Sequence, residues 1–182
     1  SEIEELLKEV ERRVRENKKH LKRLLEDIKR LVERNAEDLE RILRDAERIV
    51  RELIKKIRRD GTDKKLRDEA KEASDRIREK LEENERRHRE ESERLKEKLE
   101  RNKRTHDDED RRVRRRLERD IKDKDKLRRI EKALEDLNRE IEEILRRVKE
   151  EIERLNREIE ELLKRVEEEL KRLEKELEEE LK

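Results

Sequence analysis

Two histidines and a set of asparagines are the side chains whose type and spacing could do chemistry. Asn84 is followed one helical turn later by His88, and the same pair returns 18 positions further on as Asn102 and His106. Imidazole titrates near neutral pH, with an ordinary pKa of about 6.5, and it also binds metals. A buried amide needs hydrogen-bond partners and can fix the register in which helices meet. The pattern therefore allows a register device, a pH switch or a metal site.

Asparagine pairs with the same spacing occur in the other two thirds of the chain. Asn17 and Asn35 lie in the first third, within an apolar stripe. Asn138 and Asn156 lie in the last third. If the chain folds back on itself twice, one member of each pair comes level with each histidine. We therefore predict two buried polar layers: Asn17, Asn102, His106 and Asn138 form one, and Asn35, Asn84, His88 and Asn156 form the other.

The layers admit a structural and a functional interpretation. Asparagine alone would be enough to penalise misaligned packing of the helices. The added histidines titrate near neutral pH, so a pH response is favoured about as strongly as a role in packing specificity. Asp110 lies one turn after His106 and is expected to favour its charged form, whereas neutral Ser92 follows His88. We therefore predict that His88 is the stronger acid sensor of the two.

Metal binding and catalysis are not expected. His88 and His106 on one helix are separated by roughly 27 Å, so they cannot share an ion. The chain has no cysteine, and no second histidine or carboxylate pair joins either histidine in the stripe. A general base needs an oriented partner in a concave site, which a packed bundle does not offer. We predict no catalytic residue, no metal ligand, no cofactor and no enzymatic activity.

Two interruptions define the elements that must position these layers. The first is Asp60-Gly61-Thr62-Asp63, with a glycine suited to end a helix and Thr62 or Asp63 to cap the next one. The second is Lys122-Asp123-Lys124-Asp125, in which Asp123 or Asp125 can cap. The predicted helices are 2–59, 63–121 and 125–181, within a single domain over residues 1–182.

The apolar residues repeat every 18 positions. In the last third the row runs Leu127, Leu145, Leu163 and Leu181. Such a repeat makes five turns of an ideal α-helix, so its rows stay on one helix face, whereas a heptad repeat would impose a left-handed supercoil. Because the connections are short, neighbouring helices run antiparallel. The predicted fold is all-α: a straight, antiparallel three-helix bundle of long, rod-like helices.

Composition agrees with this fold. The chain has no proline, cysteine, methionine or aromatic residue and a single glycine, and its 59 basic and 58 acidic residues are finely interleaved. Cores restricted to Leu, Ile, Val and Ala are typical of designed proteins. Along its whole length the sequence resembles computationally designed untwisted three-helix bundles, which use this 18-residue repeat. A natural spectrin-like coiled coil is the alternative, but such domains normally contain aromatic residues.

Several classes of partner are not expected. The net charge is only +1 and there is no aromatic residue for base stacking, so we predict no nucleic-acid binding. No apolar run approaches the roughly 20 residues that cross a bilayer, and no signal peptide is visible, so we predict no membrane association. We expect a soluble, recombinant protein without a native compartment.

Apolar residues are unevenly shared among the helices. The first and third predicted helices contain 21 and 19 of them, and the second contains 10. Stripes wider than a three-helix core requires indicate a further contact. We predict a designed scaffold that self-associates through the first and third helices, as a dimer or trimer. The alternative is an interaction module whose apolar groove binds a separate designed helix.

Overall fold

Three long helices account for nearly the whole chain. The computed structural model describes residues 2–182, in which α1 spans Glu2–Asp60, α2 spans Lys64–Asp120 and α3 spans Lys124–Leu181. The predicted all-α fold is confirmed, and each predicted helix boundary lies within one residue of the observed one. None of the three described helices contains an apolar stretch that could cross a lipid bilayer.

The first loop forms as its residue types predict. Gly61 has a positive φ of 79°, which glycine adopts without steric cost. Its N–H donates to the carbonyl oxygen of Ile57 at 2.8 Å and so closes the end of α1. Of the two candidate caps, Asp63 is the one used, because its Oδ1 accepts from the backbone N–H of Leu66 at 2.8 Å.

The second loop has no glycine and needs none. The N–H of Ile121 donates to the carbonyl oxygen of Leu117 at 2.9 Å, which continues the helical pattern past the end of α2. Asp123 caps α3, since its Oδ1 accepts from the backbone N–H of Asp125 at 3.0 Å. Among residues 2–182 no residue other than Gly61 has a positive φ.

The helices divide into two compact units. The first unit contains the described residues up to Ile28 together with Ser92–Arg154, and the second contains Lys29–Glu91 and Leu155–Lys182. Each unit therefore holds a segment of all three helices and one of the two loops. Each predicted polar layer falls within one unit. That the two units make up a single domain stays a prediction.

The second unit has an extensive apolar core. Its buried side chains come from all three helices: Leu39, Ala46, Val50, Leu53, Ile57, Leu66, Ala70, Ile77, Leu81, Val166, Leu170, Leu173 and Leu177. At the edge of this core, Arg58 Nη2 of α1 donates to Glu180 Oε1 of α3 at 2.7 Å. Arg78 of α2 also pairs with Glu174 of α3, at 2.8 Å. Basic residues of α1 and α2 thus offset the acidic residues that accumulate at the C-terminal end of α3.

The first unit has a smaller cluster of buried apolar residues around the second loop: Val113, Leu117, Ile121, Ile130 and Leu134. Half-buried residues of α1 and α3, including Leu6, Leu7 and Leu127, pack against it. Lys18 Nζ of α1 donates to Glu140 Oε2 of α3 at 2.6 Å. This pair joins residues 122 positions apart, the same offset as the Arg58–Glu180 pair in the second unit.

Candidate functional site

The first unit brings together all four residues of its predicted layer. Asn17, Asn102, His106 and Asn138 line one cavity of about 270 Å³. The apolar part of its wall is formed by Val10, Val14, Val113 and Leu134, and its charged and hydroxyl-bearing part by Arg13, Glu16, His20, Thr105, Glu109 and Asp110.

Two of the cavity residues are held in a hydrogen-bonded arrangement that joins α2 and α3. Asn138 Nδ2 donates to Asp110 Oδ1 at 2.8 Å. Arg114 Nε donates to the other carboxylate oxygen, Asp110 Oδ2, at 3.1 Å. The carboxylate expected to act on His106 is thus engaged with an amide and a guanidinium instead. This arrangement fixes Asn138 at the cavity wall.

The sequence did not identify Asp110 as the partner of Asn138, or Arg114 as the partner of Asp110. A signal was present, because Asp110 occupies the position that Ser92 and Ser74 occupy one and two repeats earlier. Ser74 Oγ donates to Glu174 Oε1 of α3 at 3.0 Å. Two of the three polar residues in this row of α2, Ser74 and Asp110, thus form a hydrogen bond with α3.

The other amides of the first layer remain incompletely satisfied. Asn17 Nδ2 and Asn102 Oδ1 are shielded from solvent and have no hydrogen-bond partner. A shielded polar atom without a partner costs roughly 1–3 kcal/mol. His106 is half-buried, and His20 is exposed at the rim of the cavity. Within residues 2–182, no hydrogen bond joins two members of this layer, so it is not a closed network.

The second layer is more deeply buried. Asn35 and Asn84 are 5% and 8% exposed, and they are the buried polar residues of the described chain. His88 and Asn156 are half-buried. Nδ1 of His88 is shielded from solvent without a hydrogen-bond partner. All four residues lie in the second unit, but no hydrogen bond joins any two of them in residues 2–182. That they act together stays a prediction.

Burial lowers the pKa of His88 below its ordinary value. Desolvation of the charged ring is the main cause, and the negative charge of Glu91 opposes it. Because Nδ1 is shielded and has no acceptor nearby, an added proton there would be a buried donor without a partner. Charging His88 therefore costs the folded state free energy.

Glu85, another titratable residue of the second unit, has a pKa that is raised rather than lowered. The pKa of Glu85 on α2 is raised, first by burial and then by the charge of Glu167 on α3 and a hydrogen bond with that carboxyl group. The negative charge of Glu167 disfavours the ionised form of Glu85. Protonation of Glu85 therefore relieves a repulsion between α2 and α3.

No metal centre is apparent in the part of the chain that the structure describes. Residues 2–182 contain no group of three or more His, Cys, Asp or Glu side chains arranged to hold an ion. The histidines of the two layers lie in different units, and neither belongs to a group of the size that a tetrahedral zinc site requires.

Comparison with known proteins places the fold. The chain is similar to a solved structure described as a computationally designed three helix bundle, with a TM-score of 0.53 and 20% sequence identity, over 99% of this chain and 84% of that one. The fold is a three-helix bundle. No protein-family model and no curated protein matches the sequence. At this level of identity the likeness concerns the fold alone.

Proposed function

We propose that the chain is a computationally designed, non-catalytic scaffold. The observation that carries this proposal is the 18-residue repeat, which places aliphatic side chains on one face of each helix. The sequence contains no aromatic residue. The likeness to a designed three-helix bundle supports it at the level of the fold. The restricted set of core residues and the capped, short loops follow the practice of protein design.

The scaffold self-associates through α1 and α3. Among the described residues no large apolar side chain is fully exposed, but many on these two helices are only half-buried. On α1 they include Leu25, Leu31, Val32, Leu43 and Ile49, and on α3 Ile144, Leu145, Leu162 and Leu163. On α2 the half-buried apolar residues are Ala73, Leu95 and Leu99. This unequal distribution supports a second copy covering α1 and α3.

The two polar layers make the assembly responsive to acid. His88 supports this part of the proposal, because its ring is half-buried with a shielded Nδ1 and a lowered pKa. Protonation of a buried imidazole weakens the packing that surrounds it. If each copy loses stability in this way, an oligomer sums the losses over its chains and dissociates over a narrow range of pH.

Light scattering at pH 7.5 and pH 4.5 tests assembly and acid response together. We expect a dimer or trimer at pH 7.5, at tens of micromolar chain, and a smaller mass at pH 4.5. Replacing Leu25, Leu145 and Leu163 by Glu should give a smaller, still helical species at pH 7.5. As a matched control, Leu95→Glu on α2 should leave the oligomer intact.

A strictly monomeric parent would overturn self-association and favour the second candidate. That candidate is an interaction module whose half-buried apolar residues bind a separate helix. It is supported by the same distribution of apolar residues on α1 and α3, and it predicts that a monomeric parent gains mass only when an amphipathic helix is added.

A further inference from the structure

The cavity of the first unit is large enough to hold an organic molecule. It is partly open to solvent, and its volume of about 270 Å³ exceeds the roughly 150 Å³ of an enclosed, engineered apolar cavity that binds benzene. Three valines and a leucine form its apolar wall: Val10, Val14, Val113 and Leu134. Such a wall suits the face of a six-membered ring, and the remaining volume suits a short polar substituent.

The polar part of the cavity offers hydrogen bonds that the protein does not make. Asn17 Nδ2 is a donor without an acceptor, and Asn102 Oδ1 is an acceptor without a donor. Both atoms are shielded, but both residues line the cavity, and because the terminal torsion of asparagine is broad, binding would require only a rotation of each amide. A molecule that presents one acceptor and one donor would satisfy both residues.

The charges around the cavity favour a neutral molecule. The carboxylate of Asp110 is already bound by Asn138 and Arg114. At the rim, Arg13 and Glu109 approach each other to 3.9 Å. The remaining charged residue of the lining, Glu16, is exposed, and its charge is therefore screened by solvent. Each charged residue of the lining is thus either paired or exposed to solvent.

We propose that this cavity binds a small, neutral aromatic carboxamide. The ring lies against the valines and Leu134, the amide oxygen accepts from Asn17, and the amide N–H donates to Asn102. This site lies in the first unit and does not include His88, although His106 of the first layer lines it; binding is therefore measured at pH 7.5.

Titration of the ¹⁵N-labelled full-length protein with benzamide at pH 7.5, followed by NMR, tests the proposal. We expect saturable binding with a Kd on the order of 1 mM or tighter. The side-chain amide signals of Asn17 and Asn102 should shift, and those of Asn35 and Asn84 should not. Toluene lacks the polar edge and benzoate carries a charge, so each should bind at least about tenfold more weakly.

Two variants and a control locate the site. Asn102→Leu should weaken benzamide binding about tenfold by removing one hydrogen bond. Val10→Phe should abolish binding by filling the apolar end while leaving both asparagines in place. Asn84→Leu, the equivalent change one repeat earlier and in the second unit, should leave the affinity unchanged.

The proposal is overturned if benzamide does not bind at roughly 10 mM, since the cavity then takes only water. It is also overturned if toluene binds as well as benzamide, or if a folded Asn102→Leu protein binds like the parent. Should Asn102→Leu not fold, as judged by circular dichroism, the comparison of the three probes on the parent decides.

Discussion

The two units carry the same polar pattern in different surroundings. In the second unit Asn35 and Asn84 are almost inaccessible to solvent and lie in a unit with an extensive apolar core. In the first unit the equivalent Asn17 and Asn102 are half-buried and line a cavity. The position of an amide in the sequence therefore follows the repeat, whereas its burial differs between the two units.

Within the first unit, two residues that line the cavity are smaller than the residues one repeat away. Val10 at the cavity is replaced one repeat later by Ile28, and Val113 stands where Leu95 stands one repeat earlier. Each valine has one carbon fewer than its counterpart. Because protein interiors are close-packed, missing carbons of this kind leave space that neighbouring side chains do not fill.

The largest expected effect comes from removing the deeply buried amides. Asn35→Leu combined with Asn84→Leu should raise the free energy of unfolding by about 2–4 kcal/mol, because two buried amides are replaced by apolar groups of similar size. The corresponding pair, Asn17→Leu with Asn102→Leu, also removes two polar atoms without partners, but it places leucines at half-buried positions beside the cavity, so it should give about half that gain. Chemical denaturation of both variants measures the difference, and equal gains would contradict the contrast between the units.

Filling the cavity is expected to have the next largest effect. Val10→Ile with Val113→Leu adds two carbons and should stabilise the protein by about 1.5 kcal/mol. Val50→Ile makes a similar change at a buried position in the core of the second unit and should cost about 1 kcal/mol through overpacking. In urea denaturation, a gain in stability for the first variant and a loss for the second would support the cavity. A loss of stability in both variants would argue against it.

A smaller effect concerns His88 and depends on pH. The pKa of His88 in the folded state lies below its unfolded value of about 6.5. The contribution of neutral His88 to the free energy of unfolding is therefore fully present above about pH 6.5. It is lost as the pH falls towards the folded pKa, and the loss does not grow further below it. Partial exposure screens the charge, so the effect should be smaller than the packing effects.

His88→Asn should therefore flatten the dependence of stability on pH between about pH 6.5 and 4.5. The matched change in the other unit, His106→Asn, should alter it less. Urea denaturation at several pH values provides the measurement. A parent whose stability is constant over this range would leave the histidines as register devices only.

The smallest expected effect comes from the carboxyl pair of the second unit. The pKa of Glu85 in the folded state lies above its unfolded value. Ionisation of Glu85 therefore lowers the free energy of unfolding, and this penalty is complete above the folded pKa. The penalty disappears as the pH falls to the unfolded pKa. Glu85→Gln should raise stability at pH 7 by a few tenths of a kcal/mol, the size of an exposed charge interaction. Glu79→Gln, on an exposed part of α2, should have no effect at the same pH.

Local signals in the sequence were sufficient to predict the helices and their loops. The helix boundaries follow from Gly61 and from the capping residues Asp63 and Asp123, whose roles depend on a few neighbouring atoms. The prediction that each layer lies at one level rests on the spacing of the asparagines and the short loops, and it stays a prediction.

The cavity and the bonds around Asp110 could not be predicted in the same way. The cavity depends on how Val10 and Val113 pack against residues far away in the sequence, and periodicity carries no information on that fit. Asp110 lies one turn after His106 on α2, but the antiparallel helix α3 brings Asn138 Nδ2 to 2.8 Å from Asp110 Oδ1. The burial of His88 likewise depends on parts of the chain outside α2.

The division of the chain into units also has a consequence for the order of folding. Each unit contains one uninterrupted helical hairpin, Ser92–Arg154 in the first and Lys29–Glu91 in the second. A hairpin with a short loop forms quickly because its contacts are close in sequence, whereas the contacts between α1 and α3 join residues 122 positions apart and require a long loop to close. We expect two independent folding nuclei, one at each loop. The N-terminal segment up to Ile28 and the C-terminal segment from Leu155 dock onto them later.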